Sequence, residues 1–283
     1  MKRVEALCTT LLLVAAIHTP ARAGLVSVDN GTKNLLSIDE TTGAATVLST
    51  LDITGIIGGM TLDPTAQVLY GFDSADLDVI SINPLTGDVT VVADLSFEMR
   101  ALAFDQSTNT LYGVDSVVAQ KLYTIDTGSG TAIAGPEIDT VNGGIQGMTF
   151  DASGNLFATN VIDDVLLEIN TSNGTTTELV NLAPDFSQMF SLAFDQSTGS
   201  LFGVNSPAGD DELVRFDPAG PSFLDGASVG TIAGSTDIVS LAVAPSLIVV
   251  PEPSTFALLS TSLLGICAAG YRWRRKRKTS LTA

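Results

Sequence analysis

The sequence predicts an all-β fold: a β-propeller of five four-stranded blades, one of them assembled from both ends of the repeat region. Two observations carry this. The first is a repeat, in which GMTLDPTAQVLYGFDS from Gly59, RALAFDQSTNTLYGVDS from Arg100, GMTFDASGNLFATN from Gly147 and SLAFDQSTGSLFGVNS from Ser191 share one pattern. Each is followed by a second pair of strand-like segments. Aligned on that pair, Ile38, Ile82, Ile125, Ile169 and Phe216 form a column with offsets of 44, 43, 44 and 47 residues, a spacing that fits four-stranded propeller blades. The second observation is a split unit. Residues 26–50 supply a second, third and fourth strand without a first, whereas SLAVAP at 240–245 matches SLAFDQ at 191–196 and supplies a first strand alone. Joining the two closes a ring without an open sheet edge, which a solenoid would not need. The alternative is a six-bladed ring with a degenerate unit hidden in residues 207–237.

Within each copy the turns are specified by their chemistry. The first and second strands are joined by DPTAQ, DQSTN, DASGN or DQSTG, and the third and fourth by DETTG, NPLTG, DTGSG or NTSNG. Asp or Asn at the start can accept bonds from backbone N–H groups two residues on, and Gly at the exit tolerates positive φ. The repeated Asp residues are therefore read as turn residues rather than catalytic groups or calcium ligands. In the third strands, Leu36 with Ile38, Ile80 with Ile82, and Tyr123 with Ile125 alternate with more polar neighbours, which assigns one buried and one mixed face. The first-strand column Thr61, Ala103, Thr149, Ala193 and Ala242 is small, as expected around a crowded central axis.

Composition narrows the function. Residues 24–249 hold 29 acidic residues against Lys33, Arg100, Lys121 and Arg215, a formal charge of −25 that the full-length value of −18 conceals. Such a surface repels phosphate backbones and excludes nucleic acid as a partner; cationic polymers and divalent ions suit it better. His18, Cys8, Cys267 and Trp273 all lie outside this segment. The segment therefore has no Ser-His-Asp or Cys-His chemistry, no histidine zinc or haem site and no internal disulfide. At 226 residues it can bury a core without staples.

Both ends carry targeting features. Lys2 and Arg3, the apolar run 7–17 and the small-residue exit Ala21-Arg22-Ala23 predict a secretory signal peptide over residues 1–23, with the repeat domain at 24–249. At the other end, Val250, Pro251, Glu252, Pro253 and Ser254 precede an apolar stretch at 256–271 and the basic residues Arg272, Arg274, Arg275, Lys276, Arg277 and Lys278. The stretch is short for a span but can be extended by its flanks and by snorkelling of the basic side chains, which orient it with the cationic end in the cytoplasm. Two prolines around one carboxylate make an extended, exposed handle.

Motif, span and basic cluster in this order closely resemble a bacterial PEP-CTERM sorting tail, here residues 250–281. That resemblance implies recognition near Pro251, Glu252 and Pro253 by an exosortase-type transpeptidase of Gram-negative bacteria that make exopolysaccharide. It implies an exported protein, transiently anchored in the inner membrane by its C-terminus and then placed at the cell surface or in the extracellular matrix. Segments such as LYGVDS and KLYTIDTGSG resemble, generically, repeats of bacterial surface propellers, a resemblance that carries no catalytic residue across.

The loops between second and third strands vary and carry most of the remaining carboxylates: Asp73, Asp76 and Asp78, then Asp163 with Asp164, then Asp210 with Asp211 and Glu212. None has EF-hand spacing or its turn glycine, so no catalytic, cofactor or metal residue is assigned, and calcium is the one ion that the composition leaves open. The expected function is that of a noncatalytic surface or matrix-associated propeller with a binding or structural role toward exopolysaccharide or a surface protein. The lack of Trp argues against an aromatic sugar platform. The alternative is an extracellular carboxylate-dependent lyase or hydrolase, calcium-assisted.

Overall fold

The computed structural model describes residues 24–140, 143–207, 210–217, 226–232 and 237–243. Both targeting segments, 1–23 and 250–281, therefore lie outside the described residues. Twenty strands form five four-stranded antiparallel sheets. Blade 1 contains β1 (Leu25–Asp29), β2 (Asn34–Ile38) and β3 (Ala45–Thr50); blade 2 contains β4 (Ile57–Asp63), β5 (Val68–Asp73), β6 (Asp78–Ile82) and β7 (Val89–Asp94). Blade 3 is β8 (Met99–Asp105), β9 (Thr110–Asp115), β10 (Lys121–Asp126) and β11 (Thr131–Glu137), and blade 4 is β12 (Ile145–Phe150), β13 (Leu156–Asn160), β14 (Val165–Ile169) and β15 (Thr176–Asn181). Blade 5 is β16 (Met189–Asp195), β17 (Ser200–Asn205), β18 (Glu212–Phe216) and β19 (Ala227–Thr231), and β20 (Ala242–Val243) joins blade 1 in the order β20-β1-β2-β3. The ring is thus five-bladed and closed by both chain ends. The six-bladed alternative fails because the described residues of 207–237 contribute β18 and β19 to blade 5 and the sheets number five.

Of the four described residues in the six-residue match, 240–243, the closing strand takes in Ala242 and Val243. Only Leu25↔Val243 and Val26↔Ala242 pair within strands, with a single further bridge at Asp29↔Ile238. Side chains supply the rest: Ser27 Oγ donates to the Ser240 carbonyl, and both the backbone N–H and the Nδ2 of Asn30 donate to the Asp237 carbonyl at 3.3 and 3.2 Å. Leu241 is buried with Leu25, Leu36, Ile38, Phe202, Val204 and Ile238. Apolar packing and polar stapling therefore replace ladder bonds at the seam.

The core lies between blades. Strands in the second position are buried on both faces; β13 and β17 are buried throughout, as is β1. That explains why LFATN and SLFGVN read as nearly continuous apolar runs instead of alternating ones. One cluster joins blades 2 and 3 through Tyr70, Phe72, Leu102, Phe104 and Ile125, and another joins blades 4 and 5 through Phe157, Leu166, Leu192, Val214 and Phe216. Outer strands stay wet, with Val47, Val91 and Ile133 exposed. In the third strands the alternation is real but weaker than the sequence suggests: in β2, Leu35 and Ser37 are buried as fully as Leu36 and Ile38, because the neighbouring blade covers the second face.

A β-bulge marks the start of the first strand in blades 2, 3, 4 and 5, at Gly58/Met60, Met99/Ala101, Ile145/Gly147 and Met189/Ser191. In blade 2 the bulged residue is Gly59, with φ of 60°. A Cβ there would sit 2.5 Å from the Leu102 nitrogen and 2.7 Å from the Ala101 Cα. Glycine is needed both for the dihedral and for the approach of the next blade.

Candidate functional site

The repeated carboxylates are engaged with the backbone. At the turns between first and second strands, Asp63 Oδ1 accepts from Thr65 and Ala66 N–H at 2.8 and 2.9 Å, Asp105 from Ser107 at 2.8 Å, Asp151 from Ser153 at 2.8 Å and Asp195 from Ser197 at 2.8 Å. At the turns between third and fourth strands, Asp39, Asn83, Asp126 and Asn170 accept in the same way from Thr41, Leu85, Gly128 and Ser172. The glycines that follow, Gly43, Gly87, Gly130 and Gly174, all have positive φ. The turn reading of these residues therefore holds at both sets of turns. For Asp105, burial acts to raise the pKa, but bonds from Thr108 and Ser107 outweigh it and hold the carboxyl below its ordinary value; Asp39 behaves alike through Thr41 and Thr42.

On the opposite face the acidic loops separate into different roles. Asp73 is buried and accepts from the N–H groups of Ala75 at 3.0 Å and Thr54 at 3.4 Å. Asp76 accepts from Thr54 Oγ1 at 2.9 Å. Asp78 is raised, by burial first and then by Asp94, Asp76 and Asp73, so like charges face one another there. Asp163 accepts from Asn160 Nδ2 at 2.8 Å, Asp164 takes a positive φ of 53° and Asp210 is exposed. Glu212 opens β18. Among the described residues no group of three or more His, Cys, Asp or Glu side chains is disposed to hold a metal ion.

Asp211 is different from its neighbours in sequence, being fully buried. Its carboxylate accepts from Ser206 Oγ and, at 2.9 Å, from the N–H of Ile238 in the closing segment. Burial raises its pKa, with smaller contributions from Asp237 and Asp29 against the lowering effect of Ser206 and Ile238. It ties blade 5 to the closing segment of blade 1.

Sequence reasoning missed this stapling function. Asn30 Oδ1 accepts from Ile57 N–H at 2.7 Å, and Gln120 Oε1 accepts from Ile145 N–H at 2.8 Å while its Nε2 donates to the Asp115 and Ile145 carbonyls. Ile57, Ile145 and Ile238 each stand three residues before the methionine or leucine of a first strand. A second column was also overlooked, in which Asp29, Asp73, Asp115, Asn160 and Asn205 end the second strands and are all buried. The signal was present as an Asp or Asn opening every variable loop.

Two depressions lie on the face of the first-to-second-strand turns. One, of about 220 Å³, is lined by Thr61, Thr149, Ala193 and Ala242 together with Gln67 and Gln196, so four of the five residues of the small column border it. The other, of about 320 Å³, lies between blades 2 and 3 and is lined by Asp63, Asn109, Thr124, Asp126, Thr127 and Ile133.

Comparison with known proteins places this architecture. A chain of a nidogen/laminin complex shares the fold with a TM-score of 0.56 at 15% identity, covering 79% of this chain and 99% of that one. A structural-genomics protein of unknown function from Bacteroides thetaiotaomicron gives 0.52 at 13% identity over 80% and 66%, and TolB from Acinetobacter baumannii gives 0.50 at 10% identity over 79% and 66%. At these identities the likeness is one of fold. No curated protein matches by sequence. Residues 249–277 match the PEP-CTERM protein-sorting motif, a signal that directs export and surface placement through an exosortase-type sorting enzyme. Residues 94–237, which run through blades 3, 4 and 5, match the model described as a repeat of unknown function; the chain belongs to this DUF6923 repeat family, as a propeller sorted to the cell surface.

Proposed function

We propose that the mature propeller is a noncatalytic surface or matrix-associated protein that works by binding, delivered by a signal peptide at 1–23 and released from a temporary anchor at 250–281. The observation that carries this is the use of the carboxylates. Four of the first-to-second-strand turns and four of the third-to-fourth-strand turns place an Asp or Asn against backbone N–H groups, so the side chains an acid–base mechanism would need are holding the scaffold. Exopolysaccharide or a surface protein of low negative charge is the partner that the acidic surface suits.

The protein isolated from the native surface is expected to retain surface polysaccharides in a pull-down and to return them unshortened. Reducing-end or unsaturated products appearing with time, and abolished by heat inactivation, would overturn the noncatalytic reading in favour of a lyase or hydrolase.

A further inference from the structure

Between blades 2 and 3, turn carboxylates from two neighbouring blades border one depression. Asp63 from blade 2 and Asp126 from blade 3 face one 320 Å³ depression. Each is held through Oδ1 by two backbone N–H groups, from Thr65 and Ala66 and from Gly128 and Ser129. A carboxylate fixed in this way still has acceptor capacity on Oδ2. Burial raises the pKa of the Tyr70 hydroxyl in blade 2, with smaller and opposed influences from Thr127 of blade 3 and from Asp63. By repeat position the other interfaces pair Asp105 with Asn170, Asp151 with Asp217, Asp195 with Asp39, and Ala244 with Asn83. Paired acids thus recur at three of the five interfaces, and at the one between blades 2 and 3 they border a depression.

Carboxylates, the Asn109 amide and threonine hydroxyls ask for a ligand rich in donors. Beside them Ile133, 60% exposed, presents an apolar surface, with Leu111 and Phe104 buried behind the depression. A pyranose ring offers this combination, with hydroxyls at its rim and C–H groups on its faces. The volume lies at the lower end of the range for small-molecule sites, about 300–1,000 Å³, which suits one or two rings. The charge selects among sugars. With −25 over residues 24–249 a uronic or sulfated polymer is repelled, whereas a protonated amine is attracted and can pair with the exposed Asp126, the charge of the buried Asp63 adding to the field. We propose that the cleft formed by Asp63, Asn109, Thr124, Asp126, Thr127 and Ile133 binds amino-sugar units of a cationic polysaccharide. This rests on the binding reading above and names its ligand class and its place.

The test uses full-length protein in mild detergent at near-physiological salt, titrated with a glucosamine hexamer by calorimetry. The N-acetylated hexamer, a glucose hexamer, spermine and oligolysine serve as comparisons. Saturable binding with a defined stoichiometry is expected, weakened about tenfold or more by Asp126→Asn through loss of one charge-assisted contact. That variant is suited to the fold, because Asn83 and Asn170 occupy the same turn position. Asp210→Asn, an exposed carboxylate on the other face, should leave affinity unchanged, and Ile133→Ser should weaken the glucosamine hexamer more than spermine. Equal affinity in wild type and Asp126→Asn, no saturable binding, or spermine and oligolysine binding as tightly as the hexamer at this cleft would each overturn the proposal. Recovery of intact hexamer supports both readings. Shortened hexamer with the Asp126 dependence preserved would support the cleft and overturn the noncatalytic function.

Discussion

Asp211 does with a carboxylate what amides do at two other places in the ring. Asn30 and Gln120 each accept the first N–H of the following blade's inner strand, from Ile57 and Ile145, and Asp211 accepts the equivalent N–H of Ile238. Burial raises the Asp211 pKa above its ordinary 3.8. Between 3.8 and that higher value the native state binds more protons than the unfolded chain, so the contribution of Asp211 to stability falls as pH rises. Asp211→Asn keeps an acceptor and has no charge to bury. Thermal unfolding of variant and wild type from pH 4 to 7 should therefore show the variant gaining on the wild type as pH rises; a difference that shrinks or reverses would remove the carboxylate from this role. The turn residues Asp39 and Asp105 have the opposite sign. Their hydrogen bonds, outweighing burial, lower their pKa values, so the stability they supply is present above the ordinary carboxylate range and is lost as pH falls through their own lower values. Acid unfolding should accordingly shift to higher pH in Asp105→Ala, where the Ser107 and Thr108 bonds are gone, with a loss of about 1 kcal/mol for a cap-like interaction.

At the scale of the strand, the blades alternate. Blades 2 and 4 begin their inner strand with Gly-Met-Thr, at Gly59 and Gly147, and blades 3, 5 and 1 with Ala-Leu-Ala or Ser-Leu-Ala, at Ala101, Ser191 and Ser240. The difference is mechanical. Thr61 Oγ1 accepts from Phe104 N–H at 3.0 Å and Thr149 Oγ1 from Phe194 N–H at 3.1 Å, so the Thr blades bond forward to the Ala blades at the same interfaces where Gly59 and Gly147 allow close approach. The other interfaces use the Asn30, Gln120 and Asp211 staples. Five blades cannot alternate fully, and the two adjacent Ser-Leu-Ala strands fall at the seam between blades 5 and 1. Thr61→Val should cost about 1 kcal/mol by removing one hydrogen bond, and Gly59→Ala about 3 kcal/mol, because it adds left-handed strain to a backbone clash; chemical denaturation of both variants checks the ranking, and a milder Gly59→Ala than Thr61→Val would refute the close-approach account. Blade number, turns and the split unit were legible because they rest on local spacing and on Asp, Asn and Gly, whose chemistry acts within a few residues. The staples were not legible, since Asn30 and Ile57, or Gln120 and Ile145, meet only once neighbouring blades stack. Asp211 was grouped with Asp210 and Glu212 as a loop carboxylate because sequence adjacency says nothing about which member is buried. The cleft was invisible for the same reason: Asp63 and Asp126 are 63 residues apart in the chain.

At the scale of the whole molecule, closure and delivery meet at one end of the chain. Deleting residues 239–249 should remove Leu241 and the β20 pairing with Leu25 and Val26, a loss of several kcal/mol by the precedent of large core deletions; unchanged cooperative melting would contradict ring closure at this seam. The sorting motif follows directly. Residues 249–277 carry the PEP-CTERM match, with Val250-Pro251-Glu252-Pro253-Ser254 ahead of the apolar stretch and then six basic side chains that resist crossing the membrane. This order separates recognition from anchoring. Replacing Pro251, Glu252 and Pro253 together with alanine leaves the apolar stretch and the basic cluster in place, so the chain should still be exported, fold and be held in the membrane, while its recognition by the sorting enzyme is lost. Removing 250–283 altogether should instead release a soluble exported propeller that never becomes attached to the surface. Fractionation and intact-mass analysis in the native host distinguish the cases: wild type should lose its basic tail and reach the surface, the triple-alanine variant should keep the tail and accumulate in the inner membrane, and the truncated chain should appear in the medium. Equal retention of the tail in wild type and the triple variant, with the same distribution, would make 256–278 a permanent anchor and leave the Pro-Glu-Pro handle without a role in processing.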